Sequence, residues 1–537
     1  MQKAQQMVML QNAFNGVPGA VFSGGGNGPA VKSAASWAAF TGGFFAQAKN
    51  AQPPIPLLYG LDIVHGNNAV TSAVIMPHNA GLGATGDLAL VQQVYNVAAQ
   101  EALAVGINWT FGPFSGVVWD YRWGRVYESF GGDPVAVSKM VQAAVIGLQG
   151  PGGLGSGSPG VGGAVACSKH FAGDGQAGPP SAKGGVVDRG NVTVSPADMM
   201  KWGANPYVPA IDAGLGCIMV SDATWNGAQM TESKALLTTM LKSPPPAGLG
   251  FKGFVITDWD AGNTTTAVAA GVDMFMHPGS EANTIAIIAN LPAGMDARID
   301  DAVTRILNVK CQAGLSTFKP GDPATVGSIE HRMIARKAVA ESMVVLQNTG
   351  NVLPLAKTAN VFVTGSGANN LDNQMGGWTI SWQGTGSQVT GATTIQAAIS
   401  KVKPVAASMA AADVVVVVLS EGPYAEFKGD SASIDKLPAP DFTALTNAKA
   451  AGKKVVAIVM SGRPVLLHDL TQADAWIAAW LPGSEGDGVA DVLFGDVHPV
   501  GKLPHHWPAT NAQATWGGAA VPGAYTPMFK IGDGLTW

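Results

Sequence analysis

Apolar residues in this chain fall in short, nearly continuous runs rather than alternating with polar ones, and between the runs the spacing changes to a helical period. Runs of that kind are strands covered on both faces. In the first half they are Phe22-Ser23, the stretch 56–61, 107–111, Val165-Ala166-Cys167-Ser168-Lys169-His170-Phe171, 217–221, 254–257 and 272–277. Helices are predicted between them at 36–50, 88–104, 133–148, 197–213, 232–241 and 300–313. Polar residues stand at the C-terminal ends of the strands, and repeated strand-helix units of this form predict an α/β fold with a (β/α)8-type barrel. Asp62, Arg125, Lys169, His170 and Asp258 are then expected around one mouth.

Between Thr317 and Ile329 the periodicity stops at Lys319-Pro320-Gly321-Asp322-Pro323, which reads as a linker. A second series follows, with a helix at 331–342 and strands at 344–346, 361–365, 413–419, 454–460 and 475–480. Five consecutive valines in one of them require cover on both faces. The expected domains are a barrel at 1–317, a linker at 318–330 and, at 331–537, an α/β sandwich with a mostly parallel sheet.

Bulk properties narrow the field. A chain of 537 residues is too long for one core, and 47% hydrophobic against 12% charged residues describes dense globular packing. A net charge of -5 offers no basic field for nucleic acid or anionic lipid. No apolar run is long enough for a membrane span, and the start, Met1-Gln2-Lys3-Ala4, has no signal-peptide pattern. Cys167, Cys217 and Cys311 are far apart, odd in number and without metal-ligand spacing, so buried free thiols are expected. No cofactor or metal is expected. Asn108, Asn191 and Asn263 fit the N-x-S/T acceptor pattern.

The sharpest chemical signal is Gly253-Phe254-Val255-Ile256-Thr257-Asp258-Trp259-Asp260, a buried strand that runs into a carboxylate, an indole and a second carboxylate. An indole beside a carboxylate suits a sugar, with the ring stacked on its apolar face and the carboxylate at the anomeric carbon. A helix N-cap at Asp258 is the structural alternative. Other loops add Gly60-Leu61-Asp62-Ile63-Val64-His65-Gly66-Asn67-Asn68, Arg122-Trp123-Gly124-Arg125-Val126-Tyr127-Glu128-Ser129, Lys169-His170-Phe171, Gly377-Trp378-Thr379-Ile380-Ser381-Trp382-Gln383 and Trp480-Leu481-Pro482-Gly483-Ser484-Glu485-Gly486. Together, in order from about residue 20 to the C-terminus, these motifs resemble glycoside hydrolase family 3, nearest its β-D-glucan exohydrolase and β-glucosidase branch.

The resemblance implies a retaining, exo-acting β-glucosidase that releases glucose from β-glucans or β-gluco-oligosaccharides. It makes Asp258 the nucleophile, with Lys169, His170 and Arg125 as donors around it and Asp62 as acceptor of sugar hydroxyls. The acid/base falls on Glu426, in the loop after the valine strand, with Glu421 and Glu485 as competitors. Trp259 and Trp382 correspond to two aromatic walls that clamp the next sugar, while Trp378 is left between wall and core. The chain departs from the pattern at Asp222, where relatives commonly carry an aromatic, and in a long loop at 175–185, which leaves Asp188 and Arg189 unassigned. β-Xylosidase and β-N-acetylhexosaminidase are the alternatives within the family, and a two-domain sugar-binding protein is the alternative outside catalysis. Family habit implies export, to periplasm or medium.

Overall fold

The computed structural model describes residues 1–154, 163–179, 185–259, 262–276, 281–516 and 525–537. Asp260, His277 and residues 180–184 of the long loop lie outside the described residues. The chain forms two compact units. The first comprises Met1–Val70, Val91–Val117 and Val137–Val326; the second comprises Thr71–Leu90, Val118–Ala136 and Gly327–Trp537.

In the first unit eight strands run parallel: β1 (Val8–Gln11), β2 (Ala20–Ser23), β3 (Leu58–Leu61), β4 (Trp109–Thr110), β5 (Val165–Phe171), β6 (Cys217–Val220), β7 (Phe254–Ile256) and β8 (Phe275–Met276). Each pairs with its neighbour in chain order from β1 to β7, and β8 pairs with β1. A parallel bridge between Ile256 and Met274 brings the remaining edges together, so the sheet is a nearly closed barrel. Its strands are short and apolar because both faces are covered; every residue of β5 is buried.

β1 was not among the expected strands, because Val8–Gln11 passes to β2 without the intervening helix that marks the other units. The helix expected near 197–213 is broken into an α-turn, a π-turn, a 3-10 turn and a second α-turn between Pro196 and Asp212. Asn108 is fully buried and spent on strand pairing: its carbonyl accepts from Tyr59 N at 2.8 Å and its amide donates to Leu57 O at 3.1 Å.

The expectation of three buried free thiols is corrected. Cys167 on β5 and Cys217 on β6 are register partners and form a disulfide, and Cys311 is exposed. A sequence separation of 50 hides a pairing that the parallel ladder makes direct.

The second unit is a five-stranded sheet in the order β9, β13, β12, β11, β10, where β9 is Val344–Asn348, β10 Val361–Thr364, β11 Val414–Ser420, β12 Lys454–Met460 and β13 Ala475–Trp480. All pairs are parallel except β9 with β13. The pleat sorts the valines of β11: Val414, Val416 and Val418 enter one layer, and Val415, Val417 and Leu419 the other. Helices Ile329–Ser342, Ile395–Val402 and Asp487–Leu493 cover the first layer. Asn79–Thr85 and Ala439–Ala450 cover the second.

Candidate active site

Each unit carries a cluster of buried charge. In the barrel unit it stands at the C-terminal ends of β3, β5, β6 and β7, where a parallel barrel presents side chains from several strands together. Asp62 directly follows β3 and accepts from Lys169 Nζ of β5 at 2.7 Å. His170, the next residue, has Nδ1 2.5 Å from Asp174 Oδ2 and Nε2 3.7 Å from Asp258 Oδ2. The β5–β6 ladder is irregular between Ser168 and Phe171, and a break in the pleat lets consecutive residues Lys169 and His170 both serve the cluster.

Asp258, two residues beyond β7, is 6% exposed. Its Oδ1 accepts the Trp259 backbone N–H at 2.9 Å, and its Oδ2 lies 3.5 Å from Arg189 Nη2. Arg189 Nε is also 3.9 Å from Asp222 Oδ2. A small sheet of Asn191–Val192, Thr224–Trp225 and Ala228–Gln229 joins the loops after β5 and β6 and so brings these two residues together. Asp258 thus faces an imidazole and a guanidinium, donors that hold a carboxylate ionised. Trp259 packs edge-on against Phe22 at 5.4 Å, and a Cβ on Gly24 would stand 2.6 Å from the indole, so the ring occupies the space of the missing side chain.

The second unit's cluster is built on Arg125. Its Nε and Nη2 reach the two oxygens of Glu128 at 2.8 and 2.9 Å, and its Nη1 lies 3.3 Å from Glu426 Oε1. Glu128 is fully buried and also accepts from Trp378 Nε1 at 3.1 Å, while its backbone carbonyl accepts from Asn79 at 2.8 Å. Glu426 opens a 3-10 turn, Glu426–Gly429, with φ of +53°. Gly124 lets that turn approach, because a Cβ there would be 2.0 Å from the Glu426 carbonyl oxygen. Trp382 faces Phe427 of the same turn, with ring centroids 5.6 Å apart. Gln383 exchanges hydrogen bonds with the Ala425 backbone at 3.2 and 3.4 Å.

The rival glutamates are held elsewhere. Glu421 takes Arg463 Nε at 3.2 Å, the Tyr424 hydroxyl at 2.9 Å and Gly462 N at 3.1 Å; Glu485 takes Arg332 at 2.8 Å and Ser484 at 2.9 Å.

The structure therefore groups Asp62, Lys169, His170, Asp258 and Trp259 in one unit, and Arg125, Glu426 and Trp382 in the other. The sequence reading did not find Asp174 or Glu128 as partners. His170 to Asp174 and Arg125 to Glu128 are helical spacings, but the first runs from strand β5 to a 3-10 turn and the second spans a single 3-10 turn, so no predicted helix brings either pair together.

The family model described as the glycosyl hydrolase family 3 N-terminal domain matches residues 3–309, and the model of its C-terminal domain matches residues 343–537. The chain belongs to glycosyl hydrolase family 3. Among curated relatives, this family 3 chain is 34% identical over 90% of its length to the lysosomal beta glucosidase of Dictyostelium discoideum. It is 31% identical over 86% of its length to the periplasmic beta-glucosidase of Salmonella typhimurium. It covers 65% and 66% of those two proteins, so it spans less than two thirds of either. Among solved structures, the exo-1,3/1,4-beta-glucanase of a Pseudoalteromonas species superposes with a TM-score of 0.90 at 34% identity, covering 100% of the family 3 chain and 72% of that protein. A mutant beta-glucosidase of Listeria innocua in complex with laminaribiose superposes at 0.84 with 26% identity, covering 100% and 81%.

Proposed function

We propose that this chain is a retaining, exo-acting β-glucosidase or β-glucan exohydrolase that releases glucose from the non-reducing end. The observation that carries the reading is the setting of Asp258: a buried carboxylate at a barrel strand end, with Oδ2 between Arg189 and His170 and an indole as its neighbour. Such a carboxylate attacks the anomeric carbon and forms a glycosyl ester while the leaving oxygen takes a proton from the second carboxyl group. Glu426 is that second group, supported by the engagement of Glu421 and Glu485 in other contacts. Water then gives its proton to Glu426 and attacks the ester, returning Asp258 to its starting state. Asp62 and Lys169 grip sugar hydroxyls, with Trp259 and Trp382 as stacking surfaces.

The names of the relatives support glucose as the glycone, and the disulfide and the periplasmic and lysosomal relatives support an exported protein. One relative, 28% identical and covering 89% of this chain, is a beta-xylosidase of Formosa agariphila, which keeps xylose as the second reading. Trapping separates them. With a 2-deoxy-2-fluoro-β-glucoside bearing a good leaving group, peptide mass spectrometry should find a fluoroglucosyl adduct on Asp258. Faster trapping by the xylosyl analogue would replace the glycone, and an adduct on another residue would overturn the site.

A further inference from the structure

A general acid must hold its proton, yet Glu426 has a guanidinium nitrogen 3.3 Å away, and a cation at that distance favours the ionised carboxylate. The geometry around Arg125 resolves the conflict. Arg125 and Glu128 are 2% and 0% exposed on their side chains and meet as a two-bond fork, so that cation already has a full counter-charge. The fork also fixes direction: with Nε and Nη2 on Glu128, only Nη1 is turned to Glu426. The Trp378 indole N–H donates to Glu128, and the Trp378 ring lies 5.9 Å from the guanidinium carbon, so the pair is held on two sides.

Among the described residues, the charged and titratable groups on the same loops have partners of their own. On the Arg125 loop, Arg122 is paired with Asp120, and burial pushes the Tyr127 phenol far up, so it stays a neutral hydroxyl. On the Glu426 turn, Lys428 stands over the Phe427 ring, and Asp430 takes the Gly124 N–H. Behind them Tyr424, also pushed up by burial, shares Glu421 with Arg463.

We propose that Glu128 is a positioning residue for the acid/base step: acting through Arg125, it neutralises the guanidinium and aims it so that Glu426 can carry a proton between turnovers. The inference rests on the reading of Glu426 as acid/base. It adds a function to a residue that touches neither the substrate nor the reacting atoms.

The test is the pH profile of kcat/KM with a poorly activated glucoside, whose basic limb reports loss of the general acid's proton. In Glu128→Gln the unmatched guanidinium should hold Glu426 ionised, moving the basic limb about one unit toward acid. In Arg125→Gln the surviving Glu128 charge should move the limb toward alkali. A purely structural role would lower the rate in both without opposite displacements. Limbs that coincide with the wild type, or move in the same direction, overturn the proposal. If Glu128→Gln gives no cooperative melting transition, Arg125→Gln decides alone, an alkaline shift supporting the proposal and any other result overturning it. Glu426→Ala separates the two levels: a basic limb that persists in it overturns the acid/base reading and this proposal together. A limb lost there but unmoved in Glu128→Gln overturns this proposal only.

Discussion

The two charge clusters share their donors in different proportions. In the barrel unit, Asp258 is offered donors directly, His170 and Arg189, and each also contacts a further carboxylate, Asp174 or Asp222. In the second unit, Arg125 lies 3.3 Å from Glu426 and is committed to Glu128 by a two-bond fork. The first arrangement suits a group that must stay ionised, as a nucleophile does. The second suits a group that must gain and lose a proton. Under the proposed roles, the two duties go with the number of donors and how tightly each is shared, not with the identity of the acid.

Removing each carboxylate tests that contrast most strongly. Asp258→Asn should lower kcat by about four orders of magnitude for every glucoside, because no leaving group substitutes for the nucleophile. Glu426→Ala should lose about 10² to 10⁴ on poorly activated substrates but far less on activated aryl glucosides. Equal losses across a leaving-group series, measured by steady-state kinetics, would break the assignment.

A smaller effect is expected at Asp174. Its bond to His170 Nδ1 orients the ring toward Asp258, so Asp174→Ala should cost about 10- to 100-fold in kcat/KM, as loss of a buried charged hydrogen bond does. Asp174→Asn, which keeps an acceptor of the same shape, should recover part of it. No recovery would mean that the charge of Asp174, rather than its direction, is what His170 needs.

The smallest effect guards the pH profiles against a stability artefact. Burial pushes Lys310 down to about 7, with Gln6 Oε1 3.1 Å away. An unfolded lysine titrates near 10.4, so between about 7 and 10.4 the unfolded state binds more protons and stability rises with pH. Below about 7 the cost of burying the ammonium is fully present. Lys310→Met should therefore stabilise the protein by about 1–3 kcal/mol at pH 6, with the gain shrinking toward pH 10 in thermal melts. A constant gain at all pH values would show that packing, not charge, decides this position.

Much of the barrel and the sheet was legible in the chain. Continuous runs such as Val414–Ser420 and Val165–Phe171 need cover on both faces whatever surrounds them, and a polar residue ending such a run stands at a strand mouth. Asp62, Lys169, His170 and Asp258 follow from that local rule. β1 passes to β2 with no helix between them and so lacks the strand-helix alternation, and the helix after β5 is too broken.

The amino-acid sequence by itself determined the fold class and the residues at the barrel strand ends, because burial and periodicity are local properties of a few consecutive side chains, and its motifs, taken in order, carried the resemblance to the family. Only the tertiary structure decided which charges meet. It paired Cys167 with Cys217, placed Arg125 on Glu128 and Glu426 in the second unit, turned Asp174 back onto His170, and committed Glu421 to Arg463 and Glu485 to Arg332. Those pairings depend on how loops from distant parts of the chain approach one another, and electrostatic energy over a few ångströms is set by that approach rather than by position along the chain.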